Sequence, residues 1–208
     1  LLRSGLQERV KGSGLGTYLT IASAKLRNLQ SKARAFHVGE KHYDIGNDLY
    51  RTMLDDRMVY TCGYWKDADN LDQAQENKLD LVCRKIGLEK GMRVLDIGCG
   101  WGSFLGYAEE KYGIEGVGVS VSKEQVGLAK ELHPSSSLDF KLEDYRDIDD
   151  KFDKVVSLGM FEHVGSKNYR TYMNVVNRVL DDDGLFLLHT IGKDHSSNTD
   201  PWVDKYIF

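Results

Sequence analysis

Apolar residues recur along this chain with two periods that take turns. Between residues 70 and 87, Leu79, Val82, Cys83 and Ile86 share one helical face, with Asn70 placed to cap it, Gln73 three residues on, and Gly87 to stop it. Residues 92–97 form a short apolar run ended by glycines, which reads as a strand. Phe104, Leu105, Ala108 and Tyr112 then make a helical face closed by Gly113. Glu115–Ser120 is a second strand, and residues 122–132 a helix in which Ser122 and Gln125 have the spacing of a capping box. Leu138–Leu142 and residues 153–158 are the third and fourth strands. Tyr169, Tyr172, Met173, Val176 and Leu180 form another helical stripe, and residues 185–190 a fifth strand. This alternation predicts an α/β fold with a doubly wound, mostly parallel sheet. Upstream, glycine-punctuated residues 1–16 read as a linker or a frayed helix. From Thr17, Leu19, Ala22, Leu26 and Leu29 return at helical spacing, with Lys25, Arg27, Lys32 and Arg34 off that face.

Composition narrows the class. The chain has 208 residues, 41% hydrophobic and 29% charged, enough for one large domain with a flanking piece. It has no run of ~18 apolar residues, the length a membrane-spanning helix needs. It begins Leu1-Leu2 rather than with Met, so the natural start is expected further upstream. Cys62, Cys83 and Cys99 form no CxxC pair, which argues for a cytoplasmic, reducing setting and against a disulfide scaffold or a metal site. Cys83 falls on the apolar stripe and reads as core. The net charge of −4 does not suggest nucleic acid, but it is unevenly spread. Residues 1–41 hold eight Lys/Arg and two Glu; the remainder holds 20 basic and 30 acidic residues. A basic linker and helical segment (1–41) thus precedes an acidic domain (42–208). That segment is either a contact for an anionic surface or a packed helix with a solvated basic side.

The candidate chemistry starts at Asp96-Ile97-Gly98-Cys99-Gly100-Trp101-Gly102, where the first strand turns into a helix. Glycines there let the backbone pass close to a ligand at a helix N-terminus. A dinucleotide site would need GxGxxG/A and an acidic residue after the second strand; Ser103 and Ser120 stand at those places. No GKS or GKT is present, so a P-loop is excluded. The pattern DxGxGxG resembles motif I of S-adenosylmethionine-dependent methyltransferases of class I, with their Rossmann-like sheet. In that family the acidic residue meets the amino-acid part of the cofactor. With Ser120 in the usual ribose position, Gln125 is a candidate ribose contact, or simply part of the cap. Glu143-Asp144, after the third strand, lies where the family meets the adenine, or is an ordinary acidic pair in a loop.

Further runs narrow the resemblance. They are Phe36-His37-Val38-Gly39, residues 42–48 (His-Tyr-Asp-Ile-Gly-Asn-Asp), Tyr60-Thr61-Cys62-Gly63-Tyr64-Trp65, residues 159–165 around Glu162, and residues 187–192 around His189. Residues just past strand ends face the ligand crevice of such a sheet. Together these runs resemble the cyclopropane-fatty-acid synthases, the family that includes mycolic-acid cyclopropane synthases. The resemblance extends from residue 28 to Phe208. It implies methylene transfer from S-adenosylmethionine to the cis double bond of phospholipid acyl chains. It implies an active-site bicarbonate ion held by Cys62, Glu162, His189 and the backbone of Ile191. It implies cofactor contacts from Tyr60 and Thr61; from Val94, Leu95, Asp96 and Ile97 of the strand; and from Gly98, Cys99, Gly100, Trp101 and Gly102 of the turn. Ser120, Val121, Ser122, Lys123, Glu124 and Gln125 would contribute, as would Glu143 and Asp144. It also implies peripheral contact with the inner face of a membrane, a second copy of the chain as a candidate partner, an N-terminal domain upstream, and further strands and a functional tyrosine beyond Phe208. A methyltransferase that adds an intact methyl to a lipid or small amine is the alternative within the fold. A non-catalytic lipid-binding module is the alternative outside it.

Overall fold

The computed structural model describes Gln30, Lys32, residues 47–192 and Asp194. The helix expected from Thr17, the runs at 36–39 and 42–46, and residues 195–208 lie outside the described residues.

Among the described residues, five α-helices and five strands follow one another: α1 (Asn47–Met53), α2 (Leu71–Lys85), β1 (Arg93–Ile97), α3 (Ser103–Tyr112), β2 (Glu115–Ser120), α4 (Lys123–Leu132), β3 (Leu138–Leu142), β4 (Phe152–Leu158), α5 (Tyr169–Val179) and β5 (Leu180–His189). The strands form one parallel sheet in the order β3-β2-β1-β4-β5. Period-two alternation divides β1 between two cores. Val94 packs with α2, α3 and α4 on one face, and Leu95 and Ile97 pack with α5 on the other. Asp96 has the parity of Val94, so its carboxylate is turned towards the α2 side. β2 lies to one side of β1 and β4 to the other, which opens the crevice of a doubly wound sheet at the carboxyl ends of β1 and β4.

Local chemistry sets the helix ends. The Asn70 side chain accepts the Gln73 N–H at 3.0 Å, and Gln73 Oε1 accepts the Asp69 N–H at 2.8 Å. Replacing Asn70 by alanine should lower stability by ~1 kcal/mol, read as a shifted urea midpoint with unchanged slope. Ser122 caps α4 by accepting the Gln125 N–H. The return half of the expected box is not made. Ser120 Oγ instead donates to Gln125 Oε1 at 3.0 Å and accepts the Ser122 N–H at 3.2 Å, which leaves the Gln125 amide pointing elsewhere.

Two expectations are corrected. On α5 the buried face is Tyr172, Val175, Val176 and Val179, whereas Tyr169 and Met173 are exposed and Leu180 starts a strand. Tyr169 stacks on Phe161 at 4.4 Å, so an aromatic at the edge of the stripe serves a loop rather than the core. β5 starts at Leu180, five residues earlier than expected. Leu180 pairs with Phe152 and Leu185 with Lys154, so exposed Asp181, Asp182 and Asp183 bulge out between them and hide the strand's start from an apolar pattern.

Candidate active site

The crevice is lined by the glycine turn, by Tyr60 and Thr61, by Ser120, Val121 and Gln125 after β2, by Glu143 and Asp144 after β3, and by Gly159 and Met160 after β4. The turn packs tightly. Gly98 has φ +86°, and a Cβ there would lie 2.6 Å from the Met160 side chain. Gly159 has φ +70°, and a Cβ there would lie 2.5 Å from Thr61 Cγ2. Gly100 differs: only Gln125 Nε2, at 4.0 Å, is near the place of its Cβ. Gly98 and Gly159 therefore make room for protein, and Gly100 makes room for a ligand. The amide of Gln125, held by Ser120, is presented to that space, so its backbone N–H serves the cap while its side chain lines the crevice.

The segment before the domain is pinned over the turn by α2. Asp55 accepts the Val59 N–H at 2.7 Å, Gln75 Nε2 donates to Thr61 O at 2.7 Å, and Lys78 Nζ donates to Thr61 Oγ1 at 2.8 Å. On the outer side, Trp101 is buried against Tyr50 of α1, and its Nε1 donates to Asn47 Oδ1 at 2.8 Å. The turn is thus clamped from both sides before any ligand arrives.

Asp96, the last residue but one of β1, is 2% exposed, and its Oδ1 has no hydrogen-bond partner among the described residues. Burial pushes its carboxyl up to about 7, opposed by the Lys78 cation. Burial likewise brings Lys78 down to about 8, opposed by Asp55, Cys62 and Asp96. A buried acceptor without a donor, next to a glycine that leaves open space, suits the amino group of an amino-acid ligand.

The four other expected residues lie outside the crevice lining and form their own group beside it, reached through Tyr60–Cys62. Cys62 Sγ is 3.5 Å from His189 Nε2 at the end of β5. Glu162, on the single turn Phe161–His163 after β4, accepts the Ile191 N–H through Oε1 at 2.6 Å. The Ile191 amide, expected to face an anion, is here held by the carboxylate. Glu162 Oε2 and His189 Nδ1 are buried without a partner among the described residues. Burial lowers the His189 pKa below the ordinary histidine range, and Lys78 adds to this, while Glu162 opposes it. The ring is therefore neutral near pH 7. In the tautomer in which the Cys62 thiol donates to Nε2, the ring proton sits on Nδ1, and that open nitrogen is then a donor.

Some expected contacts are placed elsewhere. Val94 and Leu95 are fully buried core residues, because only a strand's end reaches the crevice. Gly102 packs against Phe140 and His133, and Ser122 is buried beneath the α4 cap. Lys123 and Glu124 are exposed on the first turn of α4 and are not part of the crevice lining. Asp144 does line the crevice, but its carboxylate accepts a two-pronged bond from Arg146, at 2.7 and 2.8 Å. Sequence reasoning missed Lys78, Met160 and His163, all of which line the crevice. For Lys78 a signal existed: it lies four residues from both Ala74 and Val82, inside the buried stripe of α2.

Residues 30–208 match the family model described as mycolic acid cyclopropane synthetase. The chain is 54% identical over 209 residues to cyclopropane-fatty-acyl-phospholipid synthase of Escherichia coli (strain K12), covering all of this chain and 54% of that protein. It is 39% identical over 157 residues to cyclopropane mycolic acid synthase 1 of Mycobacterium tuberculosis (strain ATCC 25618 / H37Rv), covering 73% of this chain and 55% of the relative. A crystal structure of mycolic acid cyclopropane synthase CmaA1 complexed with SAH and CTAB superposes with a TM-score of 0.71 at 37% identity, over 74% of this chain and 55% of that one. The chain thus spans about half the length of the curated relatives it matches. With the match running from before the first described helix to the last residue, the chain belongs to the mycolic acid cyclopropane synthetase family.

Proposed function

We propose that the protein containing this chain uses S-adenosylmethionine to convert a cis double bond of a phospholipid acyl chain into a cyclopropane ring. The observation that carries this reading is the meeting of two sites at neighbouring strand ends. One is an unpartnered buried carboxylate, Asp96, in a glycine turn with open space at Gly100. The other is the Cys62–His189 and Glu162–Ile191 group. A relative bound to SAH supports the cofactor part, and a relative named for phospholipid cyclopropanation supports the substrate part.

When bound, S-adenosylmethionine supplies an electrophilic methyl carbon. Asp96 would take its amino group, and Gln125 would present an amide to the rest of the ligand beside Gly100. Ring formation adds CH2 across the alkene and releases one proton, so the site must also hold a base. A large side-chain base would crowd an acyl chain. The open atoms of the second group suit a small oxyanion instead. His189 Nδ1–H can donate to it, Glu162 Oε2 can accept from its hydroxyl, and the Ile191 amide lies beside both. Bicarbonate has that donor and acceptor set, and when held there it supplies the proton acceptor. With its pKa lowered, His189 is a weak base, so the neutral ring serves as a hydrogen-bond donor and leaves the proton to the ion. Peripheral contact with the inner face of a membrane, through the basic segment 1–41, is part of the same proposal, since the acyl substrate lies in a bilayer.

Lipids from a host expressing the full-length gene should contain acyl chains that have gained one CH2 and lost a double bond by mass spectrometry. Methyl-branched chains with the alkene retained, methylated amines, or unchanged lipids would each displace this reading.

A further inference from the structure

Lys78 is a lysine placed where α2 should carry an apolar residue. It is 5% exposed, lies between the buried Gln75 and Leu79, and borders the crevice that Asp96 also lines. Its ammonium is tethered by Thr61 Oγ1 at 2.8 Å. Asp96 has the β1 parity that faces α2, and its Oδ1 is unpartnered. Burying a lysine is unfavourable unless a counter-charge compensates. Asp96 and Lys78 each offer the other that compensation.

We propose that Lys78 is a positioning residue, serving as the counter-charge of Asp96 in the empty crevice until the amino group of the incoming cofactor takes over that role. The inference rests on the cofactor reading given above and adds to it a named residue outside the turn. Without a cation nearby, a buried carboxyl end to β1 would protonate, and a protonated Asp96 is a poor anchor for an ammonium group. Lys78 lowers the pH at which the anchor ionises, so that more of it is charged while the crevice waits. Because Thr61 holds the ammonium, it does not swing into the space the ligand needs.

The surroundings fix what else titrates. Facing Lys78 are Asp55 and Cys62 from the preceding loop, Asp96 from β1, and His189 from β5. Facing Asp96 are Lys78, Cys99 of the turn and Tyr172 of α5. Lys78 is the cation among them. Its removal therefore raises the pH at which Asp96 ionises, whereas Cys99 and Tyr172 are pushed upwards by burial and stay neutral through that range.

The test uses the full-length protein and S-adenosylhomocysteine as probe, with calorimetry from pH 5.5 to 8.5. The wild-type protein should bind, with affinity falling as pH drops through about 7, where Asp96 takes up a proton. In Lys78→Met that midpoint should move up by roughly one unit, a loss of about tenfold at acid pH, with the curves converging towards pH 8.5. Carboxyl NMR titration of Asp96 in the ligand-free protein should show the same upward move. Thr61→Val, which frees the ammonium without removing it, should shift the midpoint the same way by less. It stands as the deciding variant if Lys78→Met does not fold. An unmoved midpoint in a folded variant, or an equal loss at every pH, overturns the role of Lys78. Failure of the wild-type protein to bind the probe would instead overturn the cofactor reading.

Discussion

Gly100→Val should reduce affinity for S-adenosylhomocysteine by about 100-fold or more while leaving the sheet intact. A factor of ten in affinity is ~1.4 kcal/mol, and a branched side chain standing in the crevice removes contacts over a whole face of the ligand. Gly100 has φ +56°, so a β-branched residue is also strained there, at a cost of ~1–2 kcal/mol in stability. Calorimetry on the full-length variant measures the first effect and a urea titration the second. Gly100→Ala separates them, since alanine suffers similar backbone strain with far less intrusion and should keep most of the affinity. If valine bound the probe as well as glycine does, the turn would not be the cofactor site. Gly98→Ala is not an equivalent test, because its Cβ would strike Met160 rather than the ligand space.

The second large effect is expected at Glu162. Glu162→Gln can keep one acceptor for the Ile191 amide, but it puts an NH2 group, or a weaker neutral acceptor, where Oε2 stands open. Ring formation should fall by roughly 100-fold or more, in the range that general acid–base groups contribute. Binding of S-adenosylhomocysteine should change by no more than about threefold, since Glu162 does not line the crevice. His189→Gln should follow the same pattern, because it loses both the contact to Cys62 and the Nδ1 donor. Turnover is read as cyclopropane formed per enzyme in bicarbonate-containing buffer. Full turnover of Glu162→Gln in bicarbonate-free buffer would remove both the residue and the ion from the chemistry.

Much of the fold could be read from the sequence because its elements carry strong local signals. β2 and β3 were delimited correctly since glycine or a cap stands at their ends, and α2 since Asn70 and Gly87 punctuate it. β5 resisted for a tertiary reason: its first turn of pairing is a bulge of three aspartates, and only the register against β4 reveals it as strand. The site divides in the same way. The glycine turn is a local pattern. The Asp96–Lys78 relation joins residues from two elements, and a lysine in an apolar stripe is ordinarily taken for a solvated one. The place of Asp144 after β3 fits a ligand contact or an ordinary acidic pair in a loop. The structure shows it bound to Arg146, two residues away, by a contact that depends on a single turn of 3₁₀-helix. The pairing of Cys62 with His189 spans 127 positions and is brought about by α2 holding Thr61, which no local pattern encodes.

The interlocked contacts at the turn bear on how this family can diverge. Gly98 yields space to Met160, and Gly159, next to Met160, yields space to Thr61. Three segments from distant parts of the chain therefore fit as a chain of notches and pegs. A substitution at either glycine is unfavourable while its peg is present, and shortening a peg alone leaves a void. Such positions are epistatic: the effect of a change at one depends on the residue already at another. A lineage that enlarges residue 98 must first acquire glycine at 160, because the clash reaches the Met160 Cβ, and it must still bear the strain of φ +86°. Single-site scans would score all of these positions as intolerant. A paired library at 159 with 61 would separate the steric part of that intolerance, which a shorter residue at 61 relieves, from the backbone strain that φ +70° leaves.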